Sequence, residues 1–546
     1  MTFALRTVAG PLTLRNVLLN LRSAAGRRGR ADGCYNSAVS WRTVAIALLS
    51  AIGAGCAPAP VADHDSGGVG VDSSVSDAQV SDRPDRDASA GTDAAGDDRA
   101  TSADAALSDR AADAAIDGSS AIDAAGADAG RPRHGSVQLD GHALRDDDGA
   151  FHALGTTLMW AAWGYKFDRS RLERTLQLIA DSGFDYIRAL GVVGDPINPD
   201  FWDGREIDWH WSDYDAVITG VTDLAYDSYG LRVQWTLIGD GQVNIPLEAD
   251  RYALVDRFVA MSVGRVHKII LFEIANEAWA NGFAGDTGND QLRALTQYLR
   301  DRTSVLVAAS APSDRSCVGY AYVYSGDIAD IATIHFPRDT NPPEGGWLAV
   351  RQPWSLLACS GLPVASNNEP IGPGSTVTTE DDPARLVAAA IVSYVAGLPF
   401  HVLHTRAGVR GDVEWSAMAG VGSFGQLDAL VPADLPNWQR SEVRDLDAPL
   451  KVYASDASGS YPSTLWPELV SPQSGVTEGY AAISGNRFFV LLLGVLDHVV
   501  IEARRNLDLQ VHDPMTGTLL AEQALDTGQQ STLSGASWFI VSGAFR

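Results

Sequence analysis

Between residues 154 and 405, short apolar stretches alternate with longer segments whose apolar residues recur three and four positions apart. The short stretches are typical of buried parallel strands, and the recurring spacing is typical of helices that pack on one face. No Gly-rich phosphate turn follows the first strand, so eight strand and helix units favour a closed (β/α)8 TIM barrel over an open sheet. The predicted strands are 154–161, 184–190, 231–238, 268–275, 304–309, 328–336, 363–366 and 400–405, and the clearest predicted helices are 169–182, 214–229, 250–263, 290–302 and 383–396.

The barrel is predicted to span residues 134–445 and to have a β element at each end. A hairpin is expected first, because strand-like residues on both sides flank the turn signal Asp146-Asp147-Asp148-Gly149. Beyond residue 446 the helical spacing disappears and strand-like runs follow one another, which predicts a small β-sandwich over 446–546. Such a domain is either a carbohydrate-binding module or a packed appendage, and the lack of an evident aromatic face favours the appendage.

A segment of low complexity precedes the barrel. Residues 57–133 consist largely of Asp, Ala, Ser and Gly and contain no aromatic residue, so they cannot form a core and are predicted to be a disordered linker. This linker holds a large share of the acidic residues behind the net charge of −27. The acidic balance argues against nucleic acid as a partner, because nucleic-acid binding needs a basic surface.

The first 56 residues have the features of an export signal. An apolar run over 44–53 ends in Ala54-Gly55-Cys56, and small residues before a cysteine resemble the bacterial lipoprotein cleavage site. We therefore expect export, with the chain held at the bacterial outer membrane or cell surface through a lipid on Cys56. A plain secretory signal or a membrane anchor is the alternative.

Two cysteines lie within the predicted barrel domain. An exported chain could join Cys317 to Cys359, but the predicted strands place them at opposite ends of the barrel, so we expect no disulfide. Without nearby histidine pairs, these cysteines do not form a metal site either.

Active sites of barrels lie at the carboxyl ends of the strands, where this chain places two glutamates. Asn276 and Glu277 follow the fourth predicted strand, and Glu369 follows the seventh. These strands face each other across the barrel mouth. Glycoside cleavage with retention needs two carboxyl groups about 5–5.5 Å apart, one to protonate the leaving oxygen and one to attack the anomeric carbon. We therefore expect Glu277 and Glu369 to be catalytic and Asn276 to bind the neighbouring sugar hydroxyl.

These motifs resemble the clan A glycoside hydrolases, especially the cellulase-like family 5, over roughly residues 136 to 440. The resemblance implies that Glu277 is the acid/base and Glu369 the nucleophile. It also implies that Arg188, at the end of the second strand, steadies the nucleophile and keeps it ionised. His335, at the end of the sixth strand, matches the strand-six histidine of the clan.

Other positions depart from the pattern of the clan. The expected tyrosine after His335 is missing, the third strand does not end in histidine, and the eighth ends in His404-Thr405 where a tryptophan would support the sugar. We expect Trp160, Trp163 and Trp279 to supply the stacking surface, since flat apolar sugar faces pack on aromatic rings. Additional residues that could line the site are Asp240, His404 and Arg406.

Each site residue also has a purely structural interpretation. An Asn-Glu pair commonly caps a helix, and Arg188 could form a structural salt bridge. His335 could be a buried histidine with satisfied hydrogen bonds, and Trp160 and Trp163 could belong to the core.

The sequence thus predicts a monomeric retaining hydrolase of β-linked oligo- or polysaccharides that needs no cofactor and no metal. One rival is a surface glycan-binding protein on the same barrel that has lost turnover. The other is a metal-dependent hydrolase or lyase, for which His335 and His404 are too few ligands.

Overall fold

The computed structural model describes residues 132–194, 201–336, 350–354, 359, 361–374, 379–441, 450–454, 478–495 and 498–546. The predicted signal with Cys56 and the predicted linker up to residue 131 lie outside these ranges. Within them, no helix has both the length and the apolar character needed to cross a bilayer.

A small antiparallel sheet opens the described chain. Its strands are β1 (Gln138–Asp140), β2 (Ala143–Asp146) and β3 (Gly149–Phe151), joined in the order β1-β2-β3. The prediction of a single hairpin was therefore incomplete, because the sheet has three strands and two turns. The predicted turn joins β2 to β3, and a second turn follows β1, where Asp140 precedes Gly141 at φ +67°. Because Asp140 pairs with Ala143, the central residues of this turn are Gly141 and His142, and glycine at the first central position suits a tight hairpin turn.

Eight parallel strands form the barrel, and all eight lie where the apolar stretches predicted them. They are β4 (Ala153–Thr157), β5 (Tyr186–Val192), β6 (Arg232–Ile238), β7 (Ile269–Ala275), β8 (Val307–Ala308), β9 (Ile331–Ile334), β10 (Val364–Asn367) and β11 (Phe400–Leu403). Pairing follows the order β8-β7-β6-β5-β4-β11-β10-β9. The two ends of this order meet where the Asp330 amide, just before β9, donates to the carbonyl of Val307 in β8 at 2.8 Å.

Helices connect the strands and cover the outside of the barrel. They are α1 (Ala161–Phe167), α2 (Arg169–Asp181), α3 (Tyr214–Tyr229), α4 (Gly241–Asn244), α5 (Glu248–Ser262), α6 (Gly285–Arg300), α7 (Cys317–Tyr324), α8 (Pro383–Val395), α9 (Arg406–Arg410) and α10 (Leu427–Leu430). Local signals set their ends. Asp168 accepts from the Arg171 amide at the start of α2, and Gly230 ends α3 in the left-handed conformation. The five predicted helices are all present.

The expectation of no disulfide was wrong, because Cys317 and Cys359 are bonded, with their Cα atoms 5.2 Å apart. Strand order predicts at which end of the barrel the chain leaves a strand. It does not predict the position of Cys317, which comes nine residues after the end of β8. Cys317 opens α7, whose next turn lies against the chain entering β10, since the hydroxyl of Tyr320 donates to the carbonyl of Pro363. Cys359 lies on that entering chain.

Two antiparallel sheets follow the barrel. The strands are β12 (Gln439–Ser441), β13 (Leu450–Ala454), β14 (Glu478–Ser484), β15 (Arg487–Leu493), β16 (His498–Ala503), β17 (Leu507–His512), β18 (Leu519–Leu525), β19 (Gln530–Ser534) and β20 (Trp538–Phe545). One sheet has the order β12-β14-β15-β20-β17-β18, and the other has the order β13-β16-β19. The larger sheet thus begins at Gln439, before the predicted boundary at 446.

The six-stranded sheet is apolar on both faces. Along β15, Phe488, Val490 and Leu492 pack in the core between the two sheets. The alternate residues Phe489 and Leu491 belong to the core of the barrel instead. Because successive side chains of a strand point to opposite faces, this continuous apolar run indicates a sheet covered on both sides. Its barrel-facing side lies against α8, whose residues from Leu386 to Val395 are all buried.

Candidate active site

Five barrel strands deliver polar side chains to one end of the barrel. Arg188 lies within β5, and Glu277 follows β7 by two residues. His335 comes directly after β9, Glu369 follows β10 by two residues, and His404 comes directly after β11. The last four of these positions lie just beyond the carboxyl ends of parallel strands, at the barrel mouth. Arg188 is the third residue of β5 rather than its end, as had been expected, and its side chain reaches Glu369 from within the barrel.

The two glutamates predicted to be catalytic lie close together around one histidine. His335 Nδ1 is 3.0 Å from Glu277 Oε1 and 3.5 Å from Glu369 Oε2. One ligand atom from each of these three side chains lies within 4.8 Å of the others. The carboxylates therefore converge at a spacing compatible with the 5–5.5 Å or so that separates the two carboxyl groups of retaining glycosidases.

The two carboxyl groups differ in their surroundings. The side chain of Glu369 is 4% exposed, whereas that of Glu277 is 26% exposed. Arg188 Nη1 donates to Glu369 Oε1 at 2.7 Å. A buried carboxylate beside a fixed cation is held in its ionised form, while a partly exposed carboxyl group can exchange protons with solvent or substrate.

Arg188 is the centre of a buried network. Besides Glu369, it donates to Glu273 Oε2 from Nε at 3.3 Å and from Nη2 at 3.0 Å, and to Asn276 Oδ1 at 2.8 Å. Burial alone would lower the pKa of Arg188, but the charges of Glu273 and Glu369 raise it above its ordinary value. Arg188 is thus a structural salt-bridge residue and a direct partner of the predicted nucleophile.

Glu273 is a residue of this network to which the sequence analysis gave no role. It is fully buried in β7, where it accepts a hydrogen bond from Thr236 Oγ1 at 2.5 Å and from Asn368 Nδ2 at 3.2 Å. Its signal was a lone carboxylate within the apolar run 269–275. A buried charge requires a partner, so the residue could have been paired with Arg188, two strands away across β6.

The loop after β7 fixes Glu277 in an unusual backbone conformation. Its φ is +41°, which is costly for a residue with a side chain and is tolerated where surrounding contacts hold it. The amide of Ala278 donates to Ser310 Oγ at 2.9 Å, and Asn281 Nδ2 donates to the carbonyl of Asn276 at 2.7 Å. The next helix, α6, begins only at Gly285, so the Asn-Glu pair does not cap a helix.

His335 Nδ1 lies within hydrogen-bond distance of Glu277 Oε1, and either group can be the donor, depending on which of them carries the proton. Its other ring nitrogen, Nε2, is buried without a hydrogen-bond partner. The histidine therefore serves the two carboxylates rather than being an ordinary satisfied residue of the core. His404 approaches the carboxylate of Glu369 as well, with its Nε2 3.9 Å from Oε2.

The three predicted tryptophans occupy different environments. Trp160 is 2% exposed, and its indole N–H donates to the carbonyl of Ala407 at 2.8 Å, so the prediction that it stacks on sugar was wrong. It fills space beside Gly411, where a Cβ atom would come within 2.7 Å of the ring. Trp163 is half-buried and contacts Phe167. Trp279 is 47% exposed and lies two residues after Glu277.

Two of the additional residues have structural partners. Asp240 accepts from the Gly194 amide at 3.0 Å and from Trp202 Nε1 at 3.1 Å. Arg406 pairs with Asp412 at 2.6 Å.

Among the described residues, one group of three side chains could hold a metal ion, and it consists of Glu277, His335 and Glu369. The guanidinium of Arg188 contacts one of these carboxylates directly, so a cation there would face a fixed positive charge. The arrangement suits proton transfer and nucleophilic attack better than metal binding.

No model of a known protein family matches the chain, and no curated protein matches it. Among solved structures, it is similar to a glycoside hydrolase family 30 endoxylanase from Clostridium papyrosolvens C71, with 11% identity, a TM-score of 0.41, and coverage of 76% of this chain and 98% of that one. It is also similar to an exo-β-1,4-mannosidase from Opitutaceae bacterium strain TAV5, with 15% identity and a TM-score of 0.38. That match covers 49% of this chain and 54% of the mannosidase. A third similar structure is a glycoside hydrolase family 5 mannosidase from Rhizomucor miehei. The two share 11% identity at a TM-score of 0.38, and the match covers 50% of this chain and 86% of that one. At such identities the chemistry has to be inferred from the side chains of the site itself.

Proposed function

We propose that this chain is a retaining glycoside hydrolase that cleaves β-linked glycans by double displacement. The observation that carries the proposal is the pair of unlike carboxyl groups. Glu369 is buried against Arg188, Glu277 is partly exposed, and both approach His335 Nδ1. One group is thereby suited to attack and the other to proton exchange.

In the first step, the carboxylate of Glu369 attacks the anomeric carbon and forms an ester bond to the sugar. The bond to the leaving oxygen breaks as Glu277 gives that oxygen its proton. Asn276 Oδ1 accepts from Arg188, which orients its amide N–H groups toward the sugar hydroxyl beside the anomeric carbon. That hydrogen bond strengthens in the transition state.

In the second step, water attacks the anomeric carbon and the ester bond to Glu369 breaks. The carboxylate of Glu277 takes the proton from the water, so both glutamates return to their starting states. Each step inverts the anomeric carbon, so the product keeps the configuration of the substrate.

The test begins with a panel of β-glucan, mannan, xylan and galactan. We expect at least one to be hydrolysed, with NMR showing that the first-formed product has the β configuration. Glu369→Ala should remain folded and lose hydrolysis. Glu277→Ala should lose activity on glycans but retain more on substrates whose leaving group needs no proton. Glu173→Gln, a change on the outer helix α2, is the matched control.

Four results would contradict the proposal. Undiminished turnover in Glu369→Ala would remove the nucleophile assignment, and an α product would replace double displacement by inversion. Glycan binding without hydrolysis would favour a binding protein on the same barrel. Loss of activity in a chelator would favour a metal-dependent enzyme, whereas we expect activity to survive.

We also propose that the protein acts outside the cytoplasm as a monomer, attached through a lipid on Cys56. The bond between Cys317 and Cys359 supports an exported location, because disulfides persist in oxidising compartments. Labelling with a radioactive fatty acid should mark the wild type and not Cys56→Ser. Sedimentation of the purified protein should give the mass of a single chain.

A further inference from the structure

A cavity of about 360 Å³ lies beside the loop that carries Glu277. Its walls come from that loop, from α6, from the loop after β8 and from α7. Ala278, the residue directly after Glu277, forms part of the wall, and Trp279 follows it. The volume falls within the roughly 300–1,000 Å³ of pockets that bind small molecules.

The cavity gathers exposed aromatic surface. Trp279 and Tyr322 are each 47% exposed and line it, and Val318, 76% exposed, lies beside them. Among the described residues, Phe167 is the other large aromatic side chain with comparable exposure. Aromatic rings that keep half of their surface in water are suited to bind a flat apolar face that arrives with the ligand.

Polar groups border the aromatic surface. The hydroxyl of Tyr322 donates to Asp286 Oδ1 at 2.7 Å. Asp314, in the cavity wall, accepts from the amide of Ser316 at 2.9 Å and from its hydroxyl at 2.8 Å. Aromatic faces with carboxylate acceptors around them match a sugar ring, whose C–H faces are apolar and whose rim consists of hydroxyl donors.

Resting on the proposed function, we infer that this cavity binds the sugar residues of the leaving group. Glu277 protonates the departing oxygen, so the leaving group extends from that residue, and the cavity begins one residue beyond it. The enzyme would then favour substrates in which the leaving group is itself a glycan chain. Trp279 and Tyr322 are the residues that would select such substrates.

The experiment compares two substrates of the same glycone sugar. One is a hexasaccharide of whichever panel glycan the wild type hydrolyses, and the other is the corresponding β-glycosyl fluoride, whose leaving group is a single atom. In Trp279→Ala and Tyr322→Ala, kcat/KM for the hexasaccharide should fall by roughly tenfold, because a stacking contact of this kind is lost. The value for the fluoride should not change. Phe167→Ala removes an equally exposed ring elsewhere and serves as the control.

Calorimetric binding of the cello-, manno-, xylo- and galacto-hexasaccharides completes the test. Equal losses on both substrates, or no loss on either, would overturn the inference. Dimerisation that depends on Trp279, with unchanged glycan binding, would assign the cavity to a second copy of the chain and also overturn it. If the wild type binds a hexasaccharide through Trp279 but hydrolyses nothing, the proposed function fails, and the leaving-group assignment fails with it. Hydrolysis with unchanged kinetics in both variants would leave the proposed function intact and remove the inference alone.

Discussion

Replacement of Arg188 by methionine tests the buried charge network most directly. Methionine is also unbranched near the backbone, but it is two atoms shorter, carries no charge and cannot donate hydrogen bonds. The change would remove four hydrogen bonds of 2.7 to 3.3 Å and leave the carboxylates of Glu273 and Glu369 without their cation. Both carboxylates are almost fully buried, so solvent cannot replace the lost charge.

The expected loss of stability is large. Breaking a buried ion pair by removing one partner costs about 3–5 kcal/mol, against a typical total stability of about 5–15 kcal/mol. The double variant Arg188→Met with Glu273→Gln leaves one orphaned carboxylate instead of two, and we expect it to recover roughly half of the loss. Arg169→Met, which breaks an exposed pair with Glu173, should cost less than about 1 kcal/mol.

Urea unfolding followed by tryptophan fluorescence at pH 7 measures these stabilities. The pH dependence of kcat/KM on the hydrolysed glycan measures the effect on Glu369, the proposed nucleophile. We expect activity at pH 7 to fall by at least about a hundredfold in both Arg188 variants, and the acid side of the profile to move to higher pH. If Arg188→Met unfolds within about 1 kcal/mol of the wild type and keeps its profile, the two carboxylates are not held as ions by this arginine.

Two further predictions concern stability. Burial lowers the pKa of His401 to about 3, so the folded chain stays unprotonated at this position while the unfolded chain takes up a proton below about 6.5. Stability is therefore lost as pH falls from about 6.5 toward 3. Urea unfolding should show that His401→Gln, compared with the wild type, is more stable at pH 4 than at pH 7 by up to about 3 kcal/mol. The same dependence of stability on pH in both proteins would refute this. The disulfide joins residues 42 positions apart and so restricts the unfolded chain. In thermal unfolding, the double variant Cys317→Ser with Cys359→Ser should lose about 2–4 kcal/mol of stability while keeping its activity at 25 °C. Unchanged unfolding would show that the bond contributes little to stability.

The barrel could be predicted because its strands are buried on both faces. Such strands appear in the sequence as continuous apolar runs, and the polar residues that end them mark the mouth of the barrel. Glu277 and Glu369 were identified by this position after the fourth and seventh strands. The structure places them together, and their catalytic roles remain proposals.

Other features depend on distances that the order of strands does not contain. The approach of Cys317 to Cys359 follows from the path of α7 along the outside of the barrel. Glu273 received no role, because its partner Arg188 lies 85 positions away and the two meet only because β5 and β7 lie on either side of β6. Trp160 was expected to stack on sugar because it lies toward the end of the first predicted strand, but its indole N–H is bonded to Ala407 in α9, 247 positions away.

The six-stranded sheet beyond the barrel packs on both of its faces, and this packing bears on the order in which the chain folds. The last strand, β20, lies in the middle of the six-stranded sheet, and its residues Trp538 and Ile540 belong to the same core as the barrel. During synthesis, the barrel can therefore not complete its packing around α8 until β20 has left the ribosome. Emergence of β20, rather than of the eighth barrel strand, sets the earliest moment at which this shared core can be complete.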